Sequence, residues 1–201
     1  MIKKIHLVSV LALVVFLGIG ATWVITKATQ ASQVLPAVIK QAPPFSLVSH
    51  HGEPFTEDSL RNKISVLDFI FTSCPGPCPI MSNNMRTLYN QYKLHPDLQF
   101  ISITVDPEYD SQEVLKIYAD ANGVNDKRWK FLRADMEKVK KLSSDGFLLM
   151  SDNLPAGHSV KFVLIDGEGN IRQYYNGTDK ASISILRNHI NLFLKKLRSS
   201  V

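Results

Sequence analysis

Ile64-Ser65-Val66-Leu67-Asp68-Phe69-Ile70-Phe71-Thr72-Ser73-Cys74-Pro75-Gly76-Pro77-Cys78-Pro79 is the stretch that decides the fold. Ile64 to Phe71 is an apolar, β-rich run and reads as a buried strand. Pro79 to Leu94 then carries apolar residues at helical spacing: Ile80, Met81, Met85, Leu88 and Tyr92. Proline is favoured at the first position of a helix. That puts Cys78 at a helix N-terminus, with both cysteines at the carboxyl end of a strand, where α/β sheets hold ligands.

The pattern continues outward on both sides. Pro44 to Thr56 reads as a short hairpin with His51-Gly52 at its turn. Leu98 to Val105 is a second strand, and Ser111 is the N-cap of a helix reaching Ala121. Phe131 to Arg133 is a short strand, Glu137 to Ser144 a helix and Val160 to Ile165 a strand. Asp166-Gly167-Glu168-Gly169-Asn170 is turn chemistry, so Ile171 to Tyr175 returns as an antiparallel partner. Ser182 to Leu197 closes the chain as an amphipathic helix. Strand–helix alternation ending in a hairpin predicts an α/β sandwich around a mixed central sheet.

Ile5 to Thr26 is 22 residues without Lys, Arg, Asp or Glu. As a helix it is long enough for a hydrocarbon core of about 30 Å. The predicted organisation is a transmembrane anchor over 1–27, a linker over 28–43 rich in small residues and proline, and one domain over 44–201. A cleaved signal peptide is the rival, but its apolar region runs about 7–15 residues. Lys3 and Lys4 precede the span, so the positive-inside rule places the C-terminal domain outside the cytoplasm. The expected location is a bacterial inner membrane, crossed once.

Charge points to no nucleic acid. The 201-residue chain has a formal charge of +5, but Lys3, Lys4 and Lys27 belong to the N-terminal segment. Residues 28–201 hold 20 bases against 18 acids, dispersed rather than gathered into a basic face. Two cysteines exclude a disulfide-rich scaffold and a zinc finger. No Gly-rich phosphate loop and no Ser-His-Asp signature is present.

Outside the cytoplasm two retained cysteines are a structural disulfide, a redox couple or a metal site. A disulfide here closes a five-residue loop and stabilises little. Helix-terminus N–H groups favour a Cys78 thiolate. Such a pair supports reversible disulfide chemistry or holds a soft cation such as Cu(I). The three-residue spacer is wider than the C-x-x-C of thiol–disulfide exchange and tilts the reading towards metal. The best third ligand is His158, in Pro155-Ala156-Gly157-His158-Ser159 just before a strand. In a thioredoxin-like topology that loop passes beside the cysteine loop. Imidazole accepts both copper oxidation states.

The remaining candidates have bland readings. Met81 and Met85 suit core packing. His50 and His51 are expected to be exposed turn residues and His189 a surface or boundary residue. Asp106 reads as a strand-end cap. Asp68, inside an apolar strand, is expected to be hydrogen-bonded or near a sheet edge.

Together these residues resemble the Sco/SenC family of membrane-anchored, thioredoxin-like copper proteins. The resemblance rests on the anchor, Asp68-Phe69 before Phe71-Thr72-Ser73-Cys74-Pro75, Cys78-Pro79, Asp106-Pro107 with Asp110, and Gly157-His158-Ser159. It implies a thioredoxin-like domain that binds one copper, Cu(I) or Cu(II), through Cys74, Cys78 and His158. It implies delivery of that copper to the binuclear copper site of cytochrome c oxidase. The partners implied are the copper-bearing oxidase subunit and, further, other copper chaperones or thioredoxin-like reductants. The alternative it carries is a thiol–disulfide oxidoreductase, with Cys74 and Cys78 as catalytic dithiol, keeping the oxidase cysteines reduced. Gly76 departs from the Asp of many relatives and Ser111 from their Thr. No proline stands between Gly157 and Ile165, where generic thioredoxin-like reductases carry a cis-proline. A peroxiredoxin-type peroxidase fits the Cys74–Cys78 spacing poorly.

Overall fold

The computed structural model describes residues 13–23, 34–149 and 154–199. Residues 13–23 form helix α1, with exposed side chains. The rest of the apolar span Ile5–Thr26 lies outside the described residues. Among the described residues, no helix is long and apolar enough to cross a membrane. A separate compact unit spans Pro36–Val201.

That unit is built on β1 (Lys40–Gln41), β2 (Ser46–Ser49), β3 (Pro54–Thr56), β4 (Ile64–Ile70), α2 (Pro77–Gln91), β5 (Leu98–Thr104), α3 (Gln112–Ala121), β6 (Trp129–Arg133), α4 (Met136–Lys141), β7 (Lys161–Ile165), β8 (Asn170–Asn176) and α5 (Lys180–Ser199). The strands form one mixed sheet in the order β1-β8-β7-β4-β5-β6-β2-β3. β4 and β5 are central, and every residue of both is buried. This is why they read as largely apolar, with apolar residues on both faces.

Local signals set the element ends. Ser111 caps α3, its hydroxyl accepting from Val114 N–H at 3.2 Å. Gly52 and Gly169 take φ of +81° and +84° at the β2–β3 and β7–β8 turns, a region that costs other residues. The helix expected over Glu137–Ser144 divides into α4 and a π-helical turn, Leu142–Gly146.

β4, β5 and β6 are parallel, so α2 and α3 are successive crossovers and lie on one face. Tyr89 of α2 packs on Phe100 and Trp129, and Tyr118 of α3 on Phe131. α5 joins that face: His189 meets Tyr175 of β8, and the hydroxyl of Tyr92, the residue capping the end of α2, donates to Asn191. On the opposite face, after α4, Phe147 packs edge-on against Phe69.

Candidate metal centre

Two connections build the site. β4 ends at Ile70, and the chain turns through the cysteine loop into α2. β7 lies antiparallel beside β4, Leu67 opposite Val163. The loop before β7 therefore meets the loop after β4, and His158 reaches Cys78, 80 residues away in the chain.

Cys74, Cys78 and His158 offer ligand atoms that all lie within 4.8 Å of one another. Both cysteines are free thiols. Cys78 Sγ is 3.3 Å from His158 Nε2. On the other side of the ring, Nδ1 is 2.9 Å from the Phe69 carbonyl. A carbonyl only accepts, so Nδ1 carries the proton and Nε2 presents its lone pair to the sulfur. Burial holds the His158 pKa below the usual histidine value, against the hydrogen bond to Phe69. The ring is thus neutral and fixed by its backbone contact, as a metal-binding histidine requires. Phe71 stands edge-on to it, centroids 5.3 Å apart.

The helix start corrects the sequence reading. α2 begins at Pro77, with Gly76 as N-cap. Pro77 fills the first helical position, and Cys78 is the second residue of the helix rather than its cap. The expected lowering of the Cys78 thiol is also overturned. Burial pushes its pKa well up, and proximity to Cys74 adds to that. Cys78 is 1% exposed, so loss of solvation outweighs the helix terminus. A soft cation held by Cys74 and Cys78 would favour the thiolate forms against that burial.

The cysteine loop is held by Asp110, which sequence reading reached only through the family motif. Its carboxylate accepts from Thr72 N–H at 3.1 Å, from Thr72 Oγ1 at 2.5 Å and from Thr104 Oγ1 at 2.5 Å. Thr72 follows β4 and Thr104 ends β5, so one fully buried carboxylate clamps both strand ends beneath the site. Asp106 supports the clamp through its backbone, as a strand-end cap would: its N–H donates to Thr104 Oγ1, and its carbonyl accepts from Asp110 N–H.

Other candidates separate. Met81 and Met85 are core residues with no exposed surface. His51 is exposed as expected, but His50 is not. It is 4% exposed, its Nδ1 accepting from Phe131 N–H, because β2 pairs with β6 and brings the turn against Phe131. His189 is also buried, its Nδ1 2.6 Å from the Tyr175 hydroxyl. Neither carboxylate oxygen of Asp68 has a hydrogen-bond partner among the described residues, and Asp68 lies on a central strand, contrary to expectation. The Leu154–Pro155 peptide is cis, three residues before His158.

A thioredoxin-like α/β domain carrying two free cysteines and a neutral histidine at one end of its sheet is the class that fold and site define. The SCO1/SenC family profile matches residues 36–191, and the chain belongs to that family. The SCO1 protein homolog of Bacillus subtilis is 26% identical over 167 residues, covering 80% of this chain and 86% of the relative. The crystal structure of a SCO1/SenC family lipoprotein from Bacillus anthracis superposes with TM-score 0.71 at 30% identity, over 82% of this chain and 99% of that one. Yeast Sco1 with copper bound gives TM-score 0.61 at 26% identity, over 76% and 89% of the two chains.

Proposed function

We propose that this protein is a copper metallochaperone that binds one copper ion through Cys74, Cys78 and His158. The observation that carries the reading is the convergence of those three side chains, with the imidazole neutral and its Nε2 facing the Cys78 sulfur. Two sulfurs and an imidazole suit copper in both oxidation states. Yeast Sco1, a relative of the same fold, has been crystallised with copper.

The same residues suggest how the ion leaves. Cys74 and His158 are each 8% exposed, against 1% for Cys78. A partner's ligands reach the two outer positions first, and Cys78 holds the ion until they are in place. We propose the copper-bearing subunit of cytochrome c oxidase as acceptor, at the outer face of a bacterial cytoplasmic membrane, with the apolar segment Ile5–Thr26 as anchor.

A second reading has its own support. The Cys74 and Cys78 sulfurs are close enough for small loop adjustments to join them, so a thiol–disulfide oxidoreductase acting on the oxidase cysteines uses the same dithiol. His158→Ala separates the two. Under the chaperone reading, the reduced chain takes one copper, and the thiolate-to-Cu(II) charge-transfer absorption disappears in the variant. Unchanged Cu(II) affinity in His158→Ala removes the ligand assignment. No tight copper in either protein leaves the reductase reading.

A further inference from the structure

Asp68 is a buried carboxylate that has no part in the site as described. It sits in the central strand, 1% exposed, and neither carboxylate oxygen has a hydrogen-bond partner. A buried carboxylate without partners is rare and calls for a reason. Ser102, its neighbour in register on β5, lowers the carboxyl pKa against the larger effect of burial, but its hydroxyl is not placed in hydrogen-bond geometry with either oxygen. That hydroxyl accepts from Trp129 Nε1 at 3.0 Å.

The position of Asp68 supplies the reason. It shares its face of the sheet with Ser102 and Phe131, the face roofed by α2 and α3. Cys78 in the first turn of α2 feels the Asp68 charge, and so does Tyr118 of α3. Tyr118 in turn meets Ser82, one turn beyond Cys78, at 2.8 Å. Among the described residues, a prospective copper ligand and a tyrosine thus register the Asp68 charge. No cation among the described residues acts on it.

We propose that Asp68 takes up the proton that accompanies one-electron reduction of copper held by Cys74, Cys78 and His158. The inference rests on the copper reading above. With two thiolates and a neutral imidazole, the Cu(II) site has no net charge and the Cu(I) site has one negative charge. In a poorly solvated interior that added charge repels an ionised Asp68. An external one-electron reductant supplies the electron to copper, and solvent supplies a proton that forms an O–H bond on the Asp68 carboxyl. No bond to copper breaks, and the total charge of site and carboxyl is unchanged. The oxidation state carried by the protein thereby becomes dependent on pH.

Burial already holds the Asp68 pKa up at about 7, so the dependence falls above neutral pH, where the Cu(II) protein carries an ionised carboxylate. The test is redox titration of the copper-loaded full chain from pH 6 to 9, following the thiolate-to-Cu(II) absorption. The wild-type Cu(I)/Cu(II) ratio at fixed potential is flat below about pH 7. Above it the ratio falls by up to tenfold per pH unit, about 59 mV for one electron. Asp68→Asn stays flat throughout. Equal slopes in the two proteins overturn the proposal and leave the copper reading standing. Absence of the absorption in both overturns the copper reading and this inference with it. Infrared difference spectra of the wild type need no variant: reduction at pH 8 must produce a protonated-carboxyl band, and its absence overturns the proposal.

Discussion

The unpartnered carboxylate of Asp68 makes a prediction about stability that needs no metal. Its pKa moves from the ordinary 3.8 to about 7 because burial removes its hydration. Between those values the folded protein holds a proton that the unfolded chain has released. Stability from this group therefore falls as pH rises through the interval and levels off above about 7. About three pKa units correspond to roughly 4 kcal/mol. Asp68→Asn keeps the shape and removes the ionisation. The reduced, metal-free proteins are compared by urea unfolding at half-unit steps from pH 5 to 8, a range that spares the thiols. Histidines buried neutral, such as His50 and His158, act in the opposite direction, but they are common to both proteins and cancel in the difference. The Asp68→Asn variant should gain on wild type by about 1.4 kcal/mol per pH unit until about pH 7, then run parallel to it. Two curves parallel over the whole range would refute the reasoning, because the carboxylate would then be solvated in the folded state.

Asp110→Ala removes three hydrogen bonds to one buried carboxylate and leaves Thr72 N–H without its partner. A loss of roughly 3 kcal/mol is expected, with copper stoichiometry falling below one per chain as the cysteine loop loosens. Full stability by urea unfolding would show that the clamp is dispensable. Gly76→Asp puts a carboxylate two residues from each cysteine. Gly76 is exposed and a Cβ there meets nothing within 4 Å, so thermal unfolding should show a change under about 0.5 kcal/mol. The added negative charge beside the site should favour Cu(II) over Cu(I), read as a lower midpoint potential; a raised potential would contradict this.

Much of the fold was legible because the signals are local. Ile64–Ile70 and Leu98–Thr104 carry apolar residues on both faces since helices or loops cover both, and that mark survives in one dimension. Ser111, Gly52 and the Asp166–Asn170 turn each act on their own backbone. The cysteine loop was legible for the same reason. A strand, two cysteines within five residues and a proline at a helix start are all contiguous.

What the sequence by itself determined, then, is the order of elements, the place of the dithiol at a strand's carboxyl end and the family motif. The tertiary structure alone decided the properties that depend on what faces a residue from elsewhere. His158 meets Cys78 because β7 runs antiparallel to β4. His50 is buried because its hairpin pairs with β6 and sets the ring against Phe131. Asp110 becomes a clamp because two parallel strands end side by side. Asp68 loses its hydration because a central strand turns it towards the face covered by α2 and α3. The Cys78 thiol is driven up rather than down because its helix terminus is packed over by the sheet and loops around it. In each case desolvation or long-range pairing outweighs the local preference, and neither is encoded by sequence neighbours.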